Sequence, residues 1–397
     1  MFTLPILGAG VLCQIAIAAP LSPETAVSMA LSTHTQLRTA EAGLQQAQAA
    51  HSRAAAPLYN PQISAQAALS QDRLGLSLSQ PLSLTGARLW QRQQTSAALD
   101  AAQARLERTR LEVAAATRSA YADAAMTASI AGLARDNVAL SAQLENAARL
   151  RHDEGEASLL DLRLTRLASA RASSWVLEAS ALESQALQLL SAVTGQVIDA
   201  GDLIADPLTA APTPALADPA TRSDIVAAQS MLTAAEADLR QQRAATLAPL
   251  SVGAFIEQED GLTFVGPSVS WELPVFARNQ EARAAAGGAL SVAEAELSML
   301  TARAEAEQTT AAARHEEADT LLTALGADLE DEARAALQGI ALAYQSGHTD
   351  LLSTLVLQSE VVEGQVALIT LRSQVADARL ALLLATEDAA LLSGGVR

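Results

Sequence analysis

The sequence contains, twice, an alternating segment that meets a proline and continues into a very long helical pattern. One copy spans Leu74–Arg88, with its proline at Pro81, and the other spans Leu262–Arg283, with Pro274. Alternation of apolar and small polar residues predicts a β-strand, and the stretch rich in Ala, Glu and Arg that follows predicts a helix. A strand that leads into an unusually long helix, repeated half a chain later, is uncommon in globular proteins.

Two pairs of alternating segments predict β-hairpins, over residues 61–83 and residues 249–276. In the first pair Ile63 and Leu76 belong to an aliphatic face, and serine and glutamine occupy many of the alternate positions. Each arm has about 9–11 residues, which is the length that a tilted strand needs to cross a bilayer. A surface hairpin on a soluble protein could have this length too, but an isolated hairpin is marginally stable in water and needs partners.

The predicted helices are too long for an ordinary globular core. No proline occurs from about Ala87 to Leu150, which at 1.5 Å per residue predicts a helix about 95 Å long. Leu133, Leu140 and Leu144 have the spacing of a coiled-coil seam. Aromatic residues make up only 3% of the chain and alanine is abundant, and this composition favours long, thin helical packing over a compact core.

Landmarks of the first half recur in the second half at nearly one spacing. Pro61 recurs as Pro249, 188 residues on, and Gly155 recurs as Gly347, 192 residues on. Such recurrence predicts a tandem duplication in which each copy contains a helix, a hairpin, a long helix, a tight turn and a helix. The predicted segments are repeat 1 over residues 19–195 with its turn at 151–158, a proline-rich linker over 196–221, and repeat 2 over 222–394 with its turn at 344–350.

Residues 1–18 are predicted to be a secretory signal peptide. The apolar run from Phe2 ends in Ala16-Ile17-Ala18, an A-x-A cleavage pattern. A buried N-terminal helix is the alternative, because no basic residue precedes the run. After Ala19 we expect no apolar stretch of the ~18–20 residues that a membrane-spanning helix requires, so any crossing of a membrane would use strands.

Charge and motifs argue against nucleic acid, metal and catalysis. The chain has 26 basic residues, all of them arginine, against 44 acidic ones, and a net charge of −18 makes a phosphate backbone an improbable partner. His315-Glu316-Glu317 lacks the second histidine of the H-E-x-x-H zinc motif. We find no nucleophile motif, P-loop or dinucleotide fingerprint. We therefore expect no metal site, no cofactor and no enzymatic activity.

Four strands in one chain are too few to close a barrel, and lipid does not tolerate open sheet edges. Association of three chains about an axis would give twelve strands, an even number in the range of outer-membrane barrels. The expected fold class is therefore mainly α with a membrane β part: a homotrimer in which a twelve-stranded β-barrel continues into a long, coiled-coil-like α-barrel.

The chain resembles the TolC-type outer-membrane efflux proteins across nearly all of its mature length. HTQLRTAEAGLQQAQA, from His34, is similar to the first helix of that family, where Asn-Pro usually stands in place of His34-Thr35. LYNPQISAQA, from Leu58, is similar to the start of the family's first strand, and Gly266–Phe276 to the end of its last strand. Phe276–Gln280 is most similar to the heavy-metal, cation-efflux branch.

The resemblance implies a passive exit duct in the outer membrane with a long periplasmic extension. Such a duct receives substrate from an inner-membrane pump of the resistance-nodulation-division kind through a periplasmic adaptor protein. The two turns would be the periplasmic tips. The implied adaptor-docking residues are Arg151, Gly155, Ser158, Tyr344, Gly347 and Asp350, and the implied acidic entrance consists of Asp153, Glu154 and Asp350.

Two other interpretations stay open. One is a soluble periplasmic adaptor with helical hairpins, although such a protein should carry one hairpin flanked by β domains. The other is a structural coiled-coil protein, which would leave the alternating segments unexplained. An acidic turn is also most simply a solvated turn, and Gly155 and Gly347 are most simply the C-caps of helices.

Overall fold

The computed structural model describes residues 21–56, 59–68, 73–83, 85–204, 216–247, 249–259, 261–276, 278–325 and 329–392. The predicted signal peptide lies outside these residues. Two compact units are present, each built from three stretches of chain. Unit 1 contains the described residues of Met1–Met29, Thr117–Ala210 and Gly326–Ser373, and unit 2 those of Ala30–Ala116, Ala211–Leu325 and Gln374–Arg397.

The described residues form eight α-helices and four β-strands. The helices are α1 (Pro23–Thr33), α2 (Thr35–Ala55), α3 (Ala87–Asp153), α4 (Leu159–Thr194), α5 (Ser223–Ala244), α6 (Gln280–Leu325), α7 (Leu329–Gln345) and α8 (Leu351–Thr386). The strands are β1 (Gln62–Ala68), β2 (Arg73–Leu82), β3 (Leu250–Glu259) and β4 (Leu262–Trp271). The mainly α class with four strands is confirmed, and the division of the chain into two repeats stays a prediction.

The four strands form one antiparallel sheet in unit 2, in the order β1-β2-β3-β4. Leu76 of β2 pairs with Ala65 of β1 and with Ile256 of β3, and Ile256 pairs with Val265 of β4. Because directly paired residues share a face, this register collects the aliphatic side chains on one side of the sheet. The predicted alternation is therefore confirmed, and β1 and β4 are the edge strands.

The serines and charged residues of the strands lie on the opposite face of the sheet, together with Phe255 and Phe264. The hydroxyl oxygens of Ser64 and Ser77 lie 2.7 Å apart across β1 and β2. At the other end of the same face, the guanidinium of Arg73 contacts carboxylate oxygens of Glu257 and Glu259, each at 2.9 Å. The charged pairs and the serines of the sheet are therefore concentrated on the face opposite the aliphatic one.

The first predicted helix, expected to be continuous from Ser22 to about Ala56, is divided at His34. This residue has an extended backbone (ψ 130°), and its Nδ1 accepts a hydrogen bond from the backbone N–H of Gln36 at 3.4 Å. His34 is therefore the N-cap of α2. Thr33 and Thr35 flank it, and threonine has a lower helix propensity than the alanines around it.

The second long helix, expected from about Asn279 to Tyr344, is present as α6 and α7, and residues 326–328 between them lie outside the described part of the chain. Gly287 and Gly288, where we expected a weak point, lie within α6. A glycine in a helix costs only about 1 kcal/mol relative to alanine. That is too little to interrupt a helix of 46 residues.

One described helix, α8, is long and apolar enough to cross a membrane by length and composition, with a mean hydropathy of 1.2 over an 18-residue window. The expectation that no such stretch follows Ala19 is therefore wrong for this helix. The core helix of a helical bundle meets the same criterion. α8 buries Gln358, whose Nε2 donates to Oδ1 of Asn137 in α3 at 2.7 Å, which is typical of a packed helix.

Candidate docking site at two helical turns

The first turn, between α3 and α4, is closed by a glycine in the left-handed region. Gly155 has φ +81°. Its N–H donates to the carbonyl of His152 at 2.9 Å, and the N–H of Glu156 donates to the carbonyl of Arg151 at 2.7 Å. These bonds satisfy the last carbonyls of α3 in the manner of a glycine C-cap, and glycine has this conformation without a steric cost.

Ser158 starts the returning helix through a capping box. Its hydroxyl accepts from the N–H of Asp161 at 3.1 Å, and the carboxylate of Asp161 accepts from the N–H of Ser158 at 2.9 Å. Two backbone donors at the start of α4 are satisfied in this way. The predicted docking residue Ser158 thus has a structural role that is sufficient by itself to explain its presence.

The second turn, between α7 and α8, has the same construction 192 residues later. Gly347 has φ +74°, its N–H donates to the carbonyl of Tyr344 at 3.1 Å, and the N–H of His348 donates to the carbonyl of Ala343 at 2.9 Å. Asp350 takes the place of Ser158, and its carboxylate accepts from the N–H of Ser353 at 3.2 Å. The two turns are therefore equivalent in backbone geometry.

Arg151 connects the two turns. Its guanidinium lies over the ring of Tyr344, 5.3 Å from the ring centroid, and its Nη1 donates to the carbonyl of Tyr344 at 3.3 Å. A Cβ atom on Gly347 would lie 4.0 Å from Nη2 of the same guanidinium. The structure thus brings together Arg151, Tyr344 and Gly347 of the predicted docking residues, through a cation–π contact and a hydrogen bond.

Tyr344 fixes this contact because its side chain is only 2% exposed. It belongs to an apolar cluster in unit 1 whose other buried members are Leu144, Ala148, Ala341 and Leu351. Burial raises the pKa of the Tyr344 phenol, and the nearby positive charge of Arg151 partly opposes that rise. The ring is therefore a neutral, rigid platform for the arginine.

The predicted acidic residues lie on both turns. Asp153 and Glu154 are exposed at the first turn, and Asp350 is exposed at the second. Hydrogen bonds from the side chain and backbone of Ser353 hold the pKa of Asp350 below its usual range. Asp350 is therefore charged at neutral pH and caps α8. An acidic entrance formed by the three residues stays a prediction.

Four of the exposed leucines near the turns occupy equivalent positions, and the sequence interpretation did not include them among the docking residues. Leu150 and Leu160 lie five residues before and after Gly155, and Leu342 and Leu352 have the same positions around Gly347; their exposed fractions are 60%, 63%, 64% and 65%. Exposed large apolar residues that recur at one place favour an interaction surface. Their equal spacing around the two glycines is a sequence signal that could have identified them.

No metal centre accompanies this surface in the described part of the chain, where no group of three or more His, Cys, Asp or Glu residues is placed to hold an ion. The turns offer helix ends, leucines, carboxylates and one arginine–tyrosine contact. Such an arrangement is suited to contact with another protein.

No protein-family model matches the chain, and no curated protein matches it. Several solved structures do. The Campylobacter jejuni CmeC outer-membrane channel matches with a TM-score of 0.75 at 16% identity, covering 92% of this chain and 85% of that chain. The open state of the Neisseria gonorrhoeae MtrE outer-membrane channel has a TM-score of 0.71 at 19% identity, with coverages of 92% and 88%.

CusC, a protein described for its folding and transmembrane channel formation, is similar to the same degree. Its TM-score is 0.72 at 17% identity, and the match covers 92% of this chain and 91% of that chain. The fold that the sequence resemblance implies is confirmed. The chain therefore has the fold of these membrane channels.

Proposed function

We propose that the chain is the outer-membrane channel of a tripartite efflux system, a passive exit duct with a long periplasmic extension. An inner-membrane pump of the resistance-nodulation-division kind would deliver substrate through a periplasmic adaptor. The chain would act without covalent chemistry and would not be an enzyme. The likeness of fold to outer-membrane channels supports this proposal, and the resemblance of Phe276–Gln280 to the heavy-metal branch favours metal cations as the substrate.

One observation carries the proposal: the sheet presents an aliphatic face that nothing in the described part of the chain covers. Ile63, Val265 and Val269 are 74%, 73% and 69% exposed. At about 25 cal/mol per Å² of apolar surface, such a face is unfavourable in water and favourable against hydrocarbon. The other face carries the serines and the charged residues of the sheet beside Phe255 and Phe264, and its polar groups suit the interior of a water-filled channel.

The edges of the sheet determine the assembly. β1 and β4 each present one side of the strand that is not paired within the sheet, and a lipid bilayer offers no hydrogen-bonding partner for such an edge. If β4 of one copy pairs with β1 of the next, three copies close a barrel of twelve strands. We therefore propose a homotrimer, with lipid against the aliphatic face.

The turns would then be the periplasmic tips. The residues that we propose for contact with the adaptor are Arg151, Gly155, Ser158, Tyr344, Gly347 and Asp350, and those for the acidic entrance are Asp153, Glu154 and Asp350. The exposed leucines around each glycine add apolar area to this surface. The equivalent geometry of the two turns supports a tandem duplication and two adaptor contacts per chain.

Membrane fractionation combined with electrophoresis tests the function. We expect the protein in detergent-extracted outer membrane as a trimer whose mobility changes on heating. The purified trimer should also produce ion conductance in a planar bilayer. A water-soluble monomer released with the periplasmic fraction would refute the channel and would support the adaptor-like alternative.

A further inference from the structure

The two ends of the sheet in unit 2 differ in charge. At the end where the strands join the helices, called here the helix end, residues 53–61, 83–93, 236–249 and 272–283 carry seven arginines and four carboxylates. At the opposite end, residues 69–73 and 257–262 carry one arginine and four carboxylates. The helix end is therefore a local excess of positive charge in a chain whose net charge is −18. Its arginines are Arg53, Arg88, Arg92, Arg240, Arg243, Arg278 and Arg283.

Some of these arginines have identifiable partners within the chain. Arg88 and Arg92 donate to the last carbonyls of α2, with Nη2 of Arg92 at 3.1 Å from its acceptor. Their guanidiniums therefore cap the negative end of that helix. Arg240 lies over the ring of Trp90, 5.1 Å from the ring centroid, and contacts Glu236 at 3.3 Å.

Three of the arginines remain available to a partner. Arg243, Arg278 and Arg283 are exposed, and none of them forms an ion pair with another described residue. Glu272 and Glu281, which flank Arg278 in the sequence, are exposed and form no ion pair within the described part of the chain either. A guanidinium that its own chain does not neutralise can bind an anion, and its planar fork of N–H donors suits the oxygens of a phosphate.

Large apolar side chains lie between these arginines and the sheet. Trp271 ends the aliphatic face of β4 at the helix end, because it pairs with Leu250 of β3 on that face. Phe276, which is 90% exposed, follows it and comes two residues before Arg278. The order from the sheet outwards is therefore aliphatic face, aromatic side chains and arginine. A membrane–water interface requires this order, with hydrocarbon first, then an aromatic belt, then the phosphates.

The segment between α5 and β3 has the same order. Leu247 is exposed and lies four residues after Arg243, on the side of β3. Exposed leucine and phenylalanine side chains are unfavourable in water by about 25 cal/mol per Å² of apolar surface. Lipid removes this cost and a water-filled interior does not, so the apolar side chains favour a position of the arginines on the outer, lipid-facing side.

We propose that the arginines at the helix end of the sheet bind the headgroup phosphates of anionic phospholipids in the inner leaflet of the outer membrane. Arg243, Arg278 and Arg283 contact the phosphates, while Leu247 and Phe276 lie among the upper parts of the acyl chains. This inference rests on the proposed function, which places the helices on the periplasmic side. It adds the class of lipid that surrounds the channel there.

Quenching of tryptophan fluorescence by lipids with brominated acyl chains tests the proposal. Purified trimers with Trp175→Phe keep Trp90 and Trp271, both in unit 2, as reporters. They are reconstituted in phosphatidylcholine with increasing fractions of brominated phosphatidylglycerol, and the quenching gives the relative binding constant of the two lipids. The test variant combines Arg243→Gln, Arg278→Gln and Arg283→Gln. The matched control removes three exposed arginines of α4 and α6 that form no ion pair with a described residue, through Arg163→Gln, Arg171→Gln and Arg314→Gln.

We expect the parent trimer to prefer phosphatidylglycerol about fivefold. That ratio corresponds to about 1 kcal/mol, the contribution of one arginine near an anionic surface. The preference should decrease when the NaCl concentration rises from about 0.05 M to about 0.5 M, because salt screens exposed charges. The test variant should show no preference, and the control should keep that of the parent.

A parent trimer without preference, or a test variant that keeps it, would overturn the proposal. A changed single-channel conductance with an unchanged lipid preference would overturn it too, because the arginines would then face the water-filled interior. Dissociation of the test variant alone would instead make this surface a contact between copies of the chain, against the proposal. The proposed function is judged separately by fractionation. A heat-modifiable outer-membrane trimer without lipid preference removes only the headgroup contact, whereas absence of the protein from the outer membrane removes the function itself.

Discussion

Gly253 lies at the closest approach of the three strands β2, β3 and β4. It pairs with Ser79 on one side and with Ser268 on the other. A Cβ atom at this position would lie 2.2 Å from the carbonyl oxygen of Leu78, 2.9 Å from Cα of Ser79 and 2.9 Å from Oγ of Ser268. Two of these three atoms are backbone, so a rotamer change cannot relieve the clash, and the strands must separate.

We therefore expect Gly253→Ala to destabilise the folded protein. Overpacking a tightly packed site typically costs about 1–3 kcal/mol, and the backbone contact places this substitution at the upper end, near 3 kcal/mol. Gly75→Ala in β2 is the matched control, because its Cβ would meet only the Cβ of Gln66 at 4.0 Å. The control should change the free energy of unfolding by less than about 1 kcal/mol, and in the stabilising direction if β2 accepts it without strain.

The measurement is urea unfolding of the detergent-purified protein, together with the temperature at which the folded band disappears in electrophoresis. We expect the Gly253→Ala variant to unfold at clearly lower urea and lower temperature than the Gly75→Ala variant. If the two variants unfold within about 0.5 kcal/mol of each other, the close approach of the strands at Gly253 is refuted.

The turns allow three further predictions. The double substitution Gly155→Val and Gly347→Val places side chains in left-handed backbone, at a cost of about 1–2 kcal/mol each. We expect cells that produce this variant to lose their tolerance of the exported substrate, while heat-modifiable trimers persist. Normal tolerance would argue against docking at the turns. Arg151→Ala removes a cation–π contact worth roughly 0.5–2 kcal/mol and also the positive charge that lowers the pKa of Tyr344. A spectrophotometric titration of the phenol should therefore show that the pKa of Tyr344 rises further. In Arg151→Lys, which keeps the charge, this pKa should stay near its present position. The pKa of Asp350 is lower in the folded protein than in the unfolded chain. Its capping contribution to stability is therefore complete above the unfolded aspartate pKa of about 3.9 and is lost as the pH falls through the lower folded pKa. Asp350→Asn should remove this part of the acid sensitivity in thermal melts between about pH 2 and pH 6, and unchanged acid sensitivity would contradict the capping role.

The strands and the turns could be predicted because their signals are local. Alternation with period two specifies which face of the sheet each strand residue occupies. Once the two hairpins lie side by side, keeping the aliphatic residues on one face favours the observed register. Gly155 and Gly347 follow long helical patterns, where a glycine is the usual C-cap. The helix break at His34 could also have been predicted, because the family that the chain resembles usually has Asn-Pro in place of His34-Thr35.

The contact between Arg151 and Tyr344 could not be predicted in the same way. The two residues are 193 positions apart, and their meeting depends on how α3 and α7 pack within unit 1. The contact between Gln358 and Asn137 has the same origin, because the two residues lie on helices that are distant in sequence. Periodicity indicates which residues face a neighbour, but not which helix that neighbour is.

The arginine–tyrosine contact also makes the two otherwise equivalent turns different from each other. At the positions that correspond through the 192-residue spacing, Ala343 stands in place of Arg151 and His152 in place of Tyr344. The corresponding pair therefore lacks both the guanidinium and the phenol ring that form the cation–π contact. In the ring of three chains that we propose, the arginine–tyrosine contact would join the two turns within each chain, and the corresponding pair of residues at each boundary between chains could not form it.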